Sequence, residues 1–201
     1  MKIFLFLMLT AIILSCASSY KPIAPSTLRY VNNTTSEDGQ LEIGFKYEVL
    51  ELRGNRKYAK REEKRGIDVV AVRITNNSER EIDFYEDVKI RSNDSEIIPL
   101  DPEVVGQSIR QGVAIYLLYG LITIQTYECS FGGCETTAVY PIGVPIAIGN
   151  MVVAGSANTN FKNEVKAYSL VDKRILPGQT VYGILGFREL EFGNLSISLK
   201  D

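Results

Sequence analysis

"IDVVAVRIT", residues 67–75, is the stretch on which the fold turns. Valine, isoleucine and threonine fill six of its nine positions, and such side chains are stiff at χ1 and suit a pleated surface. Apolarity that runs nearly unbroken, instead of alternating, predicts a central strand. "NNSER" (76–80) closes it as a turn. Upstream, "LEIGFKYEV" (41–49) sets Leu41, Ile43, Phe45, Tyr47 and Val49 at every second position, the mark of a half-buried strand. Downstream, "EIDFYEDVKI" (81–90) and "EIIPL" (96–100) flank the turn "SNDS" and predict two more strands. Near the carboxyl end, "PGQTVYGILGF" (177–187) starts a strand after a Pro-Gly turn, and "NLSISLK" (194–200) alternates Leu195, Ile197 and Leu199 with polar residues.

Short strands bounded by turn residues predict a mainly β fold, an antiparallel immunoglobulin-like β-sandwich over residues 41–201. "VRITNNSEREIDFYEDVKI" together with "ILPGQTVYGILGF" resembles small Ig-like domains of bacterial envelope lipoproteins, over about half of the chain beyond residue 16. Between the strand groups, at about 103–170, lies an interruption. Val105, Ile109, Val113, Leu117, Leu121 and Ile124 recur at helical spacing. Pro145 is placed to open a second helix bearing Val153, Ala157, Phe161, Val165 and Tyr168 on one face. The expectation is an inserted hydrophobic α-helical hairpin. Gln111 to Tyr127 and Thr136 to Phe161 carry no charged residue. Seventeen helical residues reach only about 25 Å against a hydrocarbon core of about 30 Å, so packing on the sandwich is preferred to crossing a bilayer. Two alternatives stay open: a surface for a partner or a second copy, and insertion of the hairpin (about 109–161) into lipid.

The amino terminus decides the expected compartment. Lys2 precedes an apolar run from Ile3 to Leu14, too short for a spanning helix of roughly 20 residues. Ile13-Leu14-Ser15-Cys16 resembles the bacterial lipobox. The resemblance implies a signal peptide over 1–15, a thioether-linked diacylglycerol on Cys16, and acylation (palmitate) of its new amine. Several acyl chains, at about 0.8 kcal/mol per buried CH₂, hold a protein stably on a membrane. Alanine at position 17, where enterobacterial lipoproteins retained in the inner membrane carry aspartate, implies an outer-membrane destination facing the periplasm. Residues 16–40 lack hydrophobic periodicity and read as a lipidated tether, with a root-mean-square span of about 25–30 Å.

Candidate chemistry is sparse. Histidine is absent, which removes the usual general base near neutral pH and the commonest metal ligand. No Gly-x-Ser-x-Gly and no phosphate-cradling glycine loop occurs. Glu62-Glu63 and Glu86-Asp87 read as exposed charges. Cys129 and Cys134 flank "SFGG", and in an oxidising envelope they predict a structural disulfide worth about 2–3 kcal/mol. "RGNRKYAKREEKRG" (53–66) reads as a long solvated hairpin loop. Its Arg53, Arg56, Lys57, Lys60, Arg61, Lys64 and Arg65 are candidate contacts for an anionic surface. A formal net charge of −2 gives no global field for nucleic acid. Asn-x-Ser/Thr triplets, Asn76 among them, read as turn chemistry. The expectation is a lipid-anchored, non-catalytic binding or assembly protein without cofactor or metal. Its partners would be the membrane, through the anchor, and an envelope protein or a second copy.

Overall fold

The computed structural model describes residues 16–93, 95–190 and 193–200. In chain order the elements are β1 Asn32–Thr35, β2 Leu41–Lys46, α1 Val49–Leu52, α2 Arg56–Arg65 and β3 Ile67–Asn76. Next come β4 Ile82–Asp83, α3 Phe84–Asp87, β5 Val88–Ser92, β6 Ser95–Ile97 and α4 Pro102–Ser108. The chain continues through β7 Ile124–Ser130, β8 Gly133–Tyr140, α5 Gly143–Ala167, β9 Arg174–Ile175, β10 Thr180–Arg188 and β11 Leu195–Leu199. Short 3₁₀ segments lie at Pro25–Thr27 and Ala114–Leu121. Residues 20–110 with 158–200 form one compact unit, and 16–19 with 111–157 another. The predicted signal peptide, 1–15, lies outside the described residues.

In the first unit β3 is central, as its composition predicts. A four-stranded antiparallel sheet runs β1-β2-β3-β10, with Ile43 opposite Ile74 on one side of β3 and Leu185 opposite Val70 on the other. Val70, Val72 and Ile74 enter the main core. Val69 and Ala71, pointing the other way, are also buried, and α1 and α2 lie against this strand. Cover on both faces accounts for the unbroken apolar run. A three-stranded antiparallel sheet, β11-β5-β6, pairs Ile197 with Ile90 and Ile90 with Ile97. Both sheets feed one core, in which Leu41, Phe45, Val72 and Leu185 join Ile90, Leu195 and Ile197. Both sheets are open, and β4 pairs only with β9.

Several boundaries differ from expectation. The run 81–90 is broken by the single turn α3, because the Asp83 carboxylate accepts hydrogen bonds from the backbone N–H of Tyr85 (3.0 Å) and Glu86 (3.2 Å) and caps a helix there. Residues 53–66 are not a loop. "RKYAKREEKR" consists almost wholly of good helix formers and folds as α2, ended by Gly66 in the left-handed region at φ 57°. Helical segments therefore hold as many residues as strands do, so the fold is mixed rather than mainly β.

The tether expected over 16–40 also fails from Tyr20 onward. Tyr20 and Ile23 are buried, and β1 pairs with β2, Thr34 opposite Ile43. The Glu164 carboxylate accepts from the Tyr20 hydroxyl (2.5 Å), the Ile23 N–H (3.0 Å) and the Ala24 N–H (2.8 Å). Asn55 bonds both the N–H and the C=O of Lys21, at 2.9 and 2.7 Å, and Arg53 Nε donates to the Ile23 carbonyl at 2.9 Å. Polar composition suggested a free chain, but here the polar partners are supplied by side chains far away in sequence.

The second unit corrects the helical hairpin. The apolar spacing 105–124 is divided among α4, the 3₁₀ segment and the start of β7, and a β-hairpin of β7 and β8 occupies 124–140. Asp101 and Pro102 start α4, with Asp101 accepting from the Glu103 N–H at 2.7 Å. No comparable cap carries a helix onward from Gln111, and β-branched Ile122, Thr123, Ile124 and Thr126 favour a strand. Only the second helix holds: α5 covers its expected length and buries Ala157, Phe161 and Val165, whereas Val153 is exposed. Gly143 is required at its start, since a Cβ there would sit 1.8 Å from the Tyr119 carbonyl oxygen.

The "NNSER" turn rests on Asn76, which is fully buried. Its Nδ2 donates to the carbonyls of Arg80 (2.8 Å) and Ile175 (2.9 Å), and its Oδ1 accepts from the Ser78 N–H and hydroxyl. Asn76→Ala would leave these groups without their partner and is expected to cost about 2–3 kcal/mol. Urea unfolding should show the midpoint falling with little change in slope.

Candidate functional site

Ala17 and Ser18, the two residues after Cys16, are held within the second unit. The Ala17 N–H donates to Asn150 Oδ1 at 2.5 Å, and Asn150 Nδ2 in turn donates to the Ile146 carbonyl at 2.9 Å. Gln111, itself buried, accepts from the Ser18 N–H (3.3 Å) and returns a bond from Nε2 to the Ser18 carbonyl (2.7 Å). Two side-chain amides thus satisfy the backbone around the predicted lipidation residue. Cys16 is itself half-buried and lies outside the other cysteine pair. Sequence reading missed Asn150 and Gln111. Their signal was polar residues standing alone in charge-free apolar stretches.

Cys129 and Cys134 are brought together. They face one another across β7 and β8 at disulfide distance, a pair in register at the end of the hairpin. Phe131 at the tip is wholly exposed, and Glu128 stands opposite Glu135 one pair below the cysteines. Like charges directly opposed weaken a hairpin, and a covalent link beside them offsets that.

The seven basic candidates are brought only partly together. Arg56, Lys57, Lys60, Arg61, Lys64 and Arg65 lie on α2 at i, i+4 and i+8 spacing and span roughly half its circumference. Arg53 does not join them, since its guanidinium bonds the Ile23 carbonyl and the Thr27 hydroxyl. It secures the amino-terminal segment instead. The opposite side of α2 carries Tyr58, which meets Tyr20 and Phe161 at ring-centroid distances of 5.3 and 4.9 Å. Burial, then the adjacent Glu164 carboxylate, holds the Tyr20 hydroxyl well above its ordinary pKa.

Beside α2 lies a cleft of about 320 Å³ lined by Glu48, Glu51, Lys60, Glu62, Glu63 and Asp68. Glu62 was expected as a solvated charge, but burial pushes its carboxyl up to about 8, against a hydrogen bond from the Val69 N–H (2.6 Å) that favours the ionised form. Burial also raises Asp68, which accepts from the Leu190 N–H at 2.8 Å. A neutral carboxyl beside ionised ones is a proton donor and acceptor near pH 8. Among the described residues no group of His, Cys, Asp and Glu is arranged to hold a metal ion.

The chain matches no family model, no curated protein and no solved structure. No described helix is long and apolar enough to cross a membrane.

Two expectations follow from this geometry. Non-reducing mass spectrometry should show Cys129 linked to Cys134, whereas thiols that alkylate freely in native material would count against the link. Glu62 keeps its proton in the folded protein up to about pH 8 but loses it near 4.5 in the unfolded chain. Between those values the folded state binds more protons, so stability falls as pH rises. Glu62→Gln keeps an acceptor for Val69 and should flatten that fall, raising stability at pH 8 by on the order of 1–2 kcal/mol after solvent screening. Urea unfolding at pH 5 and pH 8 measures it.

Proposed function

We propose that this chain is a bacterial cell-envelope lipoprotein, anchored through acyl chains on Cys16 at the outer membrane and facing the periplasm, and that its folded part serves binding or assembly rather than catalysis. The observation that carries this reading is the lipobox-like Ile13-Leu14-Ser15-Cys16 followed at once by residues engaged in the fold, Ala17 with Asn150 and Ser18 with Gln111. A start at Cys16 would leave no slack sequence to be wasted, because ordered contacts begin at the next residue.

The folded part is proposed as an Ig-like sandwich with additions. Two antiparallel sheets sharing one core support this reading. The helices α2 and α5 are the additions. With no histidine in the chain and a lone neutral carboxyl in an acidic cleft, the geometry offers surfaces more readily than a reaction centre.

The test is metabolic labelling with an alkyne palmitate, followed by fractionation. The wild-type chain should label, start at residue 16 by mass spectrometry and sediment with outer membranes. Cys16→Ser should lose the label. A mature wild-type chain that retains its first fifteen residues, or that never labels, would overturn the proposal.

A further inference from the structure

Exposed large apolar side chains are concentrated in one stretch of the chain. Thirteen of the twenty among the described residues fall within residues 111–157. Ile115, Leu118 and Leu121 stand on the 3₁₀ segment, Phe131 at the hairpin tip, and Ile148 and Val152 on α5. Leu121 is 79% exposed. Both strands of the hairpin are exposed almost throughout, and among the described residues no third strand pairs with either. A lone two-stranded hairpin is marginal in water, and a contiguous apolar surface on a soluble monomer is usually limited to a few hundred Å². Apolar side chains exposed at this density point to an occupant.

We propose that the occupant is the lipid bilayer: residues 111–157 form an interfacial docking surface that lies in the headgroup and upper acyl region without crossing it. The inference rests on the lipid-anchor reading of Cys16 and deepens it. Residues 16–19 belong to this same unit, and the bonds from Ala17 to Asn150 and between Ser18 and Gln111 tie the anchor point to the elements that bear the apolar side chains. Acyl chains attached at Cys16 bring a bilayer to this unit and to no other feature of comparable apolarity. Composition fits the same occupant. Residues 111–157 contain no Lys or Arg, and Glu128 and Glu135 are the only charged side chains. Tyr127 and Tyr140, both exposed, with the half-buried Tyr119, supply the aromatic type enriched where water meets lipid. Such a surface is held by apolar area and not by attraction to anionic headgroups.

A second copy of the chain is the competing occupant, and one experiment separates the two. The mature chain carrying Cys16→Ser, secreted through a conventional signal peptide, is floated with vesicles of phosphatidylcholine, and of phosphatidylcholine with one-fifth phosphatidylglycerol, in 0.1 and 0.5 M NaCl. The expected result is a monomer that floats with both vesicle types, nearly independently of salt. Leu118→Ser, Leu121→Ser and Ile148→Ser combined, all at exposed positions, should lower the bound fraction at least tenfold while leaving the thermal unfolding midpoint unchanged. A soluble oligomer that ignores vesicles would assign the surface to copies of this chain and overturn the proposal. Binding to the anionic vesicles alone, abolished in high salt, would assign contact to the basic face of α2 and overturn it equally. A monomer that stays unbound also overturns it. Palmitate labelling of the wild type is scored separately. Label without flotation of the serine variant defeats this inference and spares the anchor, and flotation without label does the reverse.

Discussion

The Glu164 carboxylate is the constraint around which the amino-terminal part of the structure is organised. Three donors from a segment some 140 positions away converge on it, two of them backbone N–H groups that would otherwise need water. Ionised acceptors make the stronger kind of hydrogen bond, and this one collects the Tyr20 hydroxyl besides. With Tyr20 fixed, its ring closes an aromatic cluster with Tyr58 from α2 and Phe161 from α5. The Asn55 side chain, pairing with both polar groups of Lys21, locks the register of the segment. Segment, α2 and the carboxyl half of α5 are thus one cooperative piece, and loss of any member would weaken the other two.

The distribution of charge follows from that arrangement. Helix α2 turns Tyr58 inward and sets Glu62 and Lys60 in the acidic cleft, while its other Lys and Arg residues lie outside that cleft. Glu103, on α4, is held well below the usual carboxylate range by hydrogen bonds from Lys162, Lys166 and Gln107, and the two lysines pin α4 to α5. The close approach of α4 to the sheet needs a missing side chain at Gly186, where a Cβ would lie 2.4 Å from Val105 Cγ2. Unit by unit, polar interactions set the positions of helices and apolar contacts fill the space between the sheets.

Strand pattern was legible in the sequence, and long-range partners were not. Ile67 to Thr75 announced a strand covered on both faces, and Leu195, Ile197 and Leu199 announced a half-buried one. The basic stretch is charge-dense enough to resemble a solvated loop, yet Arg56, Lys60 and Lys64 recur at helical intervals with Tyr58 on the other side. Apolar spacing misled between residues 105 and 124, where a 3.6-residue period persists across a short helix, a 3₁₀ segment and a strand, since periodicity carries no information on where hydrogen bonding is interrupted. The cysteine spacing pointed to the two residues that lie at disulfide distance. Glu164, Asn55, Asn150 and Gln111 look unremarkable in a linear reading because their importance lies in what they meet across many residues.

Fixing the chain at Tyr20 leaves no long tether between Cys16 and the fold. Cys16 and Tyr20 are four positions apart, and four residues drawn out fully reach about 14 Å. With acyl chains on Cys16 as proposed, the point at which the fold takes hold of the chain would lie within that reach of the headgroups instead of about 25–30 Å above them. Altitude would then become the first criterion for any binding partner: a molecule rooted in or lying on the same leaflet is always within range, and one seated deeper in the compartment is not met at all.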